Sequence, residues 1–470
     1  MTNWLPDLRK STGPVYLAIA EAIAVAVRSG RLRSGDALPT QRLLADFLGV
    51  NLSTVTRAYR EAEKRGLIDG NTRRGTVVLA RAEVVTLFGL PYRDDNSLID
   101  LSTNTPAHDP HDRSVQNIVG ELQRDGCLDH LMRYQKASDW ELLRESAAKW
   151  LQISGVPTAP ENIVLCAGAQ HALAVALSVA VERMEIGVEC FTYPGMKALA
   201  RERGYQLHPL DMDNQGVTPT AILKASKKGL RVLVISPTLQ NPTGATMSLA
   251  RRQEIADIAV SRNLTIIEED VYGLLLPASP PPLATLAPHH TYYITSLSKT
   301  VIPGLRFGIL VPPPRHAARF TDSLHTTSWY LSPLTAEIAN RLIRSGAATK
   351  RLAWQRREMG IRNQLFDKVF DELSDAAMDT ALDCAENKPA CAPHRWLALP
   401  PPLSAMEVVT ALNASGIRVV AGAGFAIGMA AQRDQHIRIA LGAAVNRKTL
   451  EHAAVVMRNG LMNCWQINTK

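Results

Sequence analysis

Paired cysteines, long apolar runs and internal repeats are all missing from this sequence, and each absence removes a class of protein. The six cysteines (Cys127, Cys166, Cys190, Cys384, Cys391 and Cys464) are scattered over 470 residues with no C-x-x-C pair. That argues against a disulfide scaffold and suits a reducing cytosol. The apolar stretch ALAVALSVAV at 172–181 is too short to span a bilayer, and the opening MTNWLPDLRK lacks the basic-then-apolar order of a signal peptide. A cytoplasmic protein with no membrane partner is expected. His108, His111, His289 and His290 have no cysteine or carboxylate set at ligand spacing, so no metal site is expected. The G-x-G in AGAGFAIG (421–428) opens no strand–turn–helix unit with an acid downstream, which argues against a dinucleotide site. No period of 20–50 residues marks a solenoid or propeller.

What is present is a folding composition with an uneven charge. Apolar residues make up 46% and charged residues 20% of the chain, and its length allows two or three domains. Of the net +8, residues 1–80 carry +5, with 12 Lys and Arg against 7 Asp and Glu. Basic charge is therefore concentrated where a nucleic-acid partner would need it.

Those first 80 residues read as helix, helix, turn, helix, hairpin. VYLAIAEAIAVAVRSG (15–30) has apolar residues at helical spacing and stops at Gly30. LPTQRLLADFLGV (38–50) follows, with Thr40 as N-cap and Gly49 as terminator, and NLSTVTRAYREAEKRGLI is a third helix ended by Gly66. LIDGNTRRGTVVLA then reads as two short strands around a turn. This order predicts a winged helix-turn-helix over 1–80 that binds a double-stranded DNA operator. The later helix of the pair enters the major groove, which makes Asn51, Ser53, Thr54 and Arg57 candidate base or phosphate contacts. Arg42 opens the preceding helix within reach of a phosphate, and Arg73 and Arg74 sit in the wing. The stretch from LPTQRLLADFLGV to RRGTVV resembles the winged-helix domain of GntR-family regulators, with Leu52 where that family often has arginine.

Residues 81–97 have neither clear periodicity nor an apolar face and read as a linker. From 98 to 470 strand-like runs alternate with helical stretches: NIVLCAG, GVECF, RVLVIS, LTIIEED, TYYITS and, late, IRIALG. That is the α/β pattern of a mostly parallel sheet, whose ligands bind beyond the carboxyl ends of the strands. The chemically useful residues fall at those ends. AGAQHAL offers a small-residue turn into a helix whose N–H groups suit a phosphate. PTLQNPTG carries Asn241, EEDVY carries two carboxylates and a phenol, and SLSK ends in Lys299 with Arg306 seven residues on. An amine for a Schiff base, an acid for a pyridinium nitrogen and donors for a phosphate are what pyridoxal 5′-phosphate requires.

The motifs PTLQNPTG, SLSKTVIPGLRFG and HIRIALG, in that order, resemble fold-type I aminotransferases, and with the first domain they resemble MocR-type members of the GntR regulators. The resemblance implies that Lys299 is the Schiff-base lysine and that Asn241 and Tyr272 bond the cofactor's phenolic oxygen. It implies that Gly168, Ala169, Gln170, Ser296, Ser298 and Arg306 surround the phosphate, that Tyr193 stacks on the ring, and that Arg438 pairs with the carboxylate of an amino-acid effector. Tyr134, in YQKASDWELLR, matches a tyrosine that reaches the phosphate of a partner subunit, which implies a homodimer. The family's pyridine-binding acid falls at Glu269, while residue type favours its neighbour Asp270; along an extended backbone the two face opposite ways. Asn104 stands near a position where the family commonly has glycine. The resulting expectation is a transcriptional regulator that senses the cofactor, an amine or an amino acid. The alternative is an active aminotransferase with an appended DNA-binding domain.

Overall fold

The computed structural model describes residues 4–6, 14–28, 31, 32, 35–71, 75–79, 98–320, 327, 331–371, 389–428 and 435–468. The chain divides into two compact units, Met1–Asn96 and Ser97–Lys470. The linker expected at 81–97, Gly30 and the wing residues Arg73 and Arg74 lie outside the described residues.

In the first unit α1 (Val15–Arg28), α2 (Gln41–Leu48) and α3 (Leu52–Lys64) precede an antiparallel hairpin, β1 (Ile68–Asn71) and β2 (Gly75–Val78). Thr40 caps α2 by accepting from Leu43 N, and Gly49 ends that helix in the left-handed region at φ 62°. The core draws on all three helices through Ile19, Ile23, Leu44, Val55 and Tyr59, and on the hairpin through Ile68 and Val78.

The second unit begins with β3 (Ile99–Asp100) and is built around a seven-stranded sheet. Its strands are β4 (Val164–Cys166), β5 (Glu185–Glu189), β6 (Gln206–Leu210), β7 (Val232–Ile235), β8 (Thr265–Glu269), β9 (Thr291–Ser296) and β10 (Gly308–Val311). They lie in the order β4-β10-β9-β8-β7-β5-β6. All neighbours run parallel except β10, which opposes both β9 and β4. Strands such as VLVI and TYYITS are buried along their whole length, as a sheet covered on both faces requires. The apolar stretch at 172–181 belongs largely to the buried helix α4 (Ala169–Ala180), packed through Leu173, Ala176 and Leu177.

IRIALG lies outside this sheet. It forms β14 (His436–Ala440), the middle strand of a separate antiparallel sheet between β11 (His394–Ala398) and β13 (Val420–Ala421), while β12 (Ile417–Arg418) pairs with β3. Periodicity fixes that a segment is a strand, but its partners depend on contacts far away in sequence. The helix α5 (Leu249–Arg262) follows β7 in the chain and precedes β8.

Candidate functional site

In the first unit Asn51, Ser53 and Arg57 are exposed along α3, Thr54 is half-buried, and Arg42 is exposed on α2. Two hydrogen bonds fix the angle between these helices: Thr56 Oγ1 donates to Gln41 Oε1 at 2.7 Å, and the buried Tyr59 hydroxyl donates to Pro39 O at 2.7 Å. Arg57 is held as well. Its guanidinium lies 4.0 Å from the centroid of the Tyr16 ring and donates to the Tyr16 hydroxyl at 3.4 Å. Such stacking orients a planar cation while leaving donors to spare.

In the second unit a cleft enclosing about 620 Å³, counting the solvent at its mouth, opens at the carboxyl ends of the parallel strands. Ala169, Gln170, Tyr193, Asn241, Glu269, Tyr272, Ser296, Ser298, Lys299 and Arg306 line it, joined by Ser236 and Val271, which sequence reasoning did not single out. Gly168 stands at its edge, at φ 85° before the first turn of α4. A β-carbon there would lie 2.7 Å from Arg306 Nη2, so the missing side chain is what admits the guanidinium beside the helix N-terminus. Arg306 itself adopts the left-handed region at φ 50°. Ser298 Oγ is buried without a partner. A cation, free helix N–H groups and an unpaired hydroxyl are the donors a phosphate takes up.

The acid of the cleft is Glu269. Asp270 points elsewhere: its Oδ2 accepts from the Tyr293 hydroxyl at 2.8 Å, and it packs so closely on Gly273 that a β-carbon there would lie 2.2 Å from Oδ1. Of the two neighbours between which the sequence left the choice open, only Glu269 lines the cleft, since side chains alternate along β8 and its extension. Burial pushes the Glu269 carboxyl up to about 7, opposed by the Lys299 charge. Burial, aided by Arg438 and Arg306, brings Lys299 down to about 8, so an appreciable fraction of its amine is neutral near physiological pH. Tyr134 is 91% exposed, outside the cleft of its own chain.

Behind Lys299 lies a buried polar network. Lys299 Nζ donates to Asn104 O at 2.7 Å, and Asn104 Nδ2 donates to the Tyr272 hydroxyl at 3.0 Å and to His394 Nδ1 at 2.9 Å. Burial, together with Arg438, pushes His394 down to about 3 and keeps the ring neutral. Its Nε2 faces Gln240 O at 3.1 Å and so carries the proton, leaving Nδ1 to accept. Tyr272 takes the Asn104 proton on its oxygen, which leaves its own O–H to donate into the cleft. His394 escaped sequence reasoning because it lies in the smaller sheet with no motif around it.

Arg438 is buried and its pKa falls to about 10 for that reason. Its Nη1 donates to Asn241 Oδ1 at 3.1 Å and its Nη2 to Ser102 O, while Nε is buried without a partner. The guanidinium lies over the Phe425 ring at 4.9 Å. The loop that carries Asn241 is clamped by Arg252 of α5, which is fully buried and donates to the carbonyls of Pro237, Met247 and Pro281 and to Thr238 Oγ1.

These buried acids set a pH dependence. Burial raises Glu189 to about 8 and Glu268 and Glu269 to about 7, from a usual 4.5. The folded chain keeps those protons where the unfolded chain has lost them, so stability falls as pH rises through 7 to 8. His394 acts in the opposite sense only where an unfolded histidine still binds a proton, around and below its usual 6.5, and Lys299 reverses the trend only above about 8. The melting temperature of cofactor-free protein is expected to fall between pH 6.5 and 8. Glu189 Oε2 accepts from Gln240 Nε2 at 3.0 Å and Ser236 N at 3.3 Å, bonds that a glutamine oxygen can replace. Glu189→Gln therefore flattens the slope; melts of equal steepness would show that Glu189 is ionised in the fold.

Because amine, acid, phenol and amide come from successive ends of one mostly parallel sheet, the second unit falls in the class of fold-type I aminotransferase domains, here following a winged helix-turn-helix. The chain belongs to the aminotransferase class I and II family, which matches residues 96–457, and residues 15–78 match the bacterial regulatory proteins of the gntR family. It is 28% identical to the uncharacterized HTH-type transcriptional regulator YdeF of Bacillus subtilis (strain 168), across 97% of this chain and 96% of that one. It is 27% identical to the vitamin B6 salvage pathway transcriptional repressor PtsJ of Salmonella typhimurium, across 68% and 73%. Among solved structures, LysN, the α-aminoadipate aminotransferase of Thermus thermophilus, matches with a TM-score of 0.69 at 21% identity, covering 79% of this chain and 94% of that one, which shows the fold. The pairing of domains is that of MocR-type regulators. Among the described residues no helix is long and apolar enough to cross a membrane, and no cluster of three or more His, Cys, Asp or Glu could hold a metal ion.

Proposed function

We propose that this protein is a cytoplasmic transcriptional regulator that binds pyridoxal 5′-phosphate in its second unit, binds an amine or amino acid there as effector, and acts on operator DNA as a homodimer. The observation that carries the reading is the convergence of Lys299, Glu269, Asn241, Tyr272, Ser298 and Arg306 on one cleft in a chain that also has a winged helix-turn-helix.

The cofactor supplies an aldehyde that captures primary amines and a ring that withdraws electrons. Lys299, partly neutral at its lowered pKa, would supply the amine, and Glu269, which lines the same cleft, would hold the ring nitrogen. Tyr272 and Asn241 would bond the phenolic oxygen, Tyr193 would cover the ring, and Arg306, Ser296, Ser298 and the turn Gly168–Gln170 would hold the phosphate. Arg438, a buried cation whose bonding partners are neutral oxygens, takes the effector's carboxylate. Tyr134, exposed on its own chain, would serve the phosphate site of a partner subunit.

The absorption spectrum of purified protein, before and after addition of pyridoxal 5′-phosphate and a panel of amino acids, tests the cofactor half. A visible band shifted by one amino acid supports it; no band after cofactor addition overturns it. Turnover is the second reading, favoured by the full set of amine, acid and Arg438. Steady keto-acid formation establishes it, and a spectral shift without product establishes a sensor.

On the DNA side, Arg57→Ala is expected to weaken binding to a duplex selected from a randomised library by about 1–3 kcal/mol. An equal loss on unrelated duplexes would identify Arg57 as a phosphate contact. Removing Arg73 and Arg74 should lower the salt dependence by about one unit per lost phosphate contact.

A further inference from the structure

We infer that the strand end Ser102–Asn104 is the element through which the cleft acts on the chain leading to the DNA-binding unit. This rests on the cofactor reading above and names how the same site is regulated. The segment follows β3, which in sequence comes directly after the run joining the two units. Its flanks are tied to the body of the second unit: Ile99 N donates to Gly416 O at 2.9 Å, Leu101 N to Arg418 O at 2.8 Å, and Ala107 N to Gln355 Oε1 at 3.1 Å.

Between those ties the segment is held by the working groups of the site. Ser102 O accepts from Arg438 Nη2, and Asn104 O accepts from Lys299 Nζ. The Asn104 amide reaches Tyr272 and His394. The segment thus takes its position from the lysine, the arginine and the phenol that the cofactor and effector would engage.

Engagement must therefore loosen the segment. If the Lys299 amine, having lost its third proton, condensed with an aldehyde, a carbon–nitrogen double bond would replace the C=O bond, the carbonyl oxygen would leave as water with the two amine hydrogens, and the nitrogen would no longer present an ammonium to Asn104 O. A carboxylate on Arg438 competes for the guanidinium face that Ser102 O now occupies. A primary amine that displaces Lys299 returns its ammonium to Asn104. There Asn104, which is only 5% exposed and lines the small cavity shared with Lys299 and Tyr272, carries an unpartnered Oδ1 that could act as a second acceptor. Glycine at this position would supply the carbonyl but neither the amide anchor nor the second acceptor. Asn104 is a positioning residue with two arrangements, one with the lysine bound and one without, which is the kind of element that couples distant sites.

Amide hydrogen exchange on the full chain tests this, comparing cofactor-free protein with protein titrated with pyridoxal 5′-phosphate. Loading is expected to accelerate exchange over 101–107 by about threefold or more while leaving the buried strand 232–235 unchanged. Affinity for a duplex selected from a randomised library should change on loading within the usual span of about 5- to 150-fold. Asn104→Ala keeps the carbonyl that accepts from Lys299 but loses the amide anchor, so the cofactor band still forms, exchange over 101–107 is already fast without cofactor, and both differences shrink. Lys299→Arg, which keeps a cation for Asn104 O and cannot condense, gives the same loss of response and serves if Asn104→Ala does not fold. Unchanged exchange at 101–107 despite a formed band overturns the inference and leaves the cofactor reading standing, as does a DNA affinity indifferent to loading. Failure of the band to form in the parent protein overturns both readings.

Discussion

Lys299→Ala is expected to abolish the visible band proposed for the parent protein with pyridoxal 5′-phosphate and to weaken retention of the cofactor by at least about tenfold, or about 1.4 kcal/mol. The size follows from what is lost: a covalent bond, with phosphate and ring contacts remaining. Those contacts are substantial, since Arg306, Ser298 and the α4 N-terminus stay in place. The variant should therefore still bind cofactor without the band, measurable by equilibrium dialysis with absorbance at low pH. A band retained in Lys299→Ala would place the reactive amine elsewhere and undo the assignment of the cleft.

Arg438→Met is expected to weaken any carboxylate-bearing amine by about 10- to 150-fold, equivalent to the roughly 1.5–3 kcal/mol of hydrogen bonds to a charged group. Cofactor binding should change little by comparison, because Arg438 reaches the cleft from the smaller sheet and touches it through Asn241. The stability change is expected to be small, since removing a buried charge offsets lost hydrogen bonds. Titration of the absorption shift with an amino acid and with its decarboxylated amine separates the outcomes. Equal weakening of both ligands would assign Arg438 to the architecture of the pocket and not to the carboxylate.

Much of this site is legible in the sequence because its groups sit in short motifs at strand ends, where one turn places them. Lys299, Asn241, Tyr272 and Arg306 are of that kind. The choice between Glu269 and Asp270 was open, since alternation says that one faces the cleft but not which; the Tyr293 hydroxyl, from the neighbouring strand, engages Asp270 and leaves Glu269. His394 and the contacts of Ser102 were hidden for a different reason. His394 meets Asn104 across 290 positions of chain, and Arg438 meets Ser102 across 336. Pairings at such range leave no local periodicity. The same limit placed IRIALG in the wrong sheet while identifying it correctly as a strand.

The two bonds that lock α2 to α3 set what kind of regulation is open to this molecule. With the core residue Tyr59 fastened to Pro39 and the half-buried Thr56 to Gln41 beside that core, reshaping the surface of α2 and α3 would break bonds that hold the two helices together. An effector acting on a dimer of such chains would leave the recognised letters alone and alter the permitted distance between them. Its signature would be a changed preference among half-site separations, felt most between spacings that differ by part of the roughly 10–10.5 base-pair helical turn.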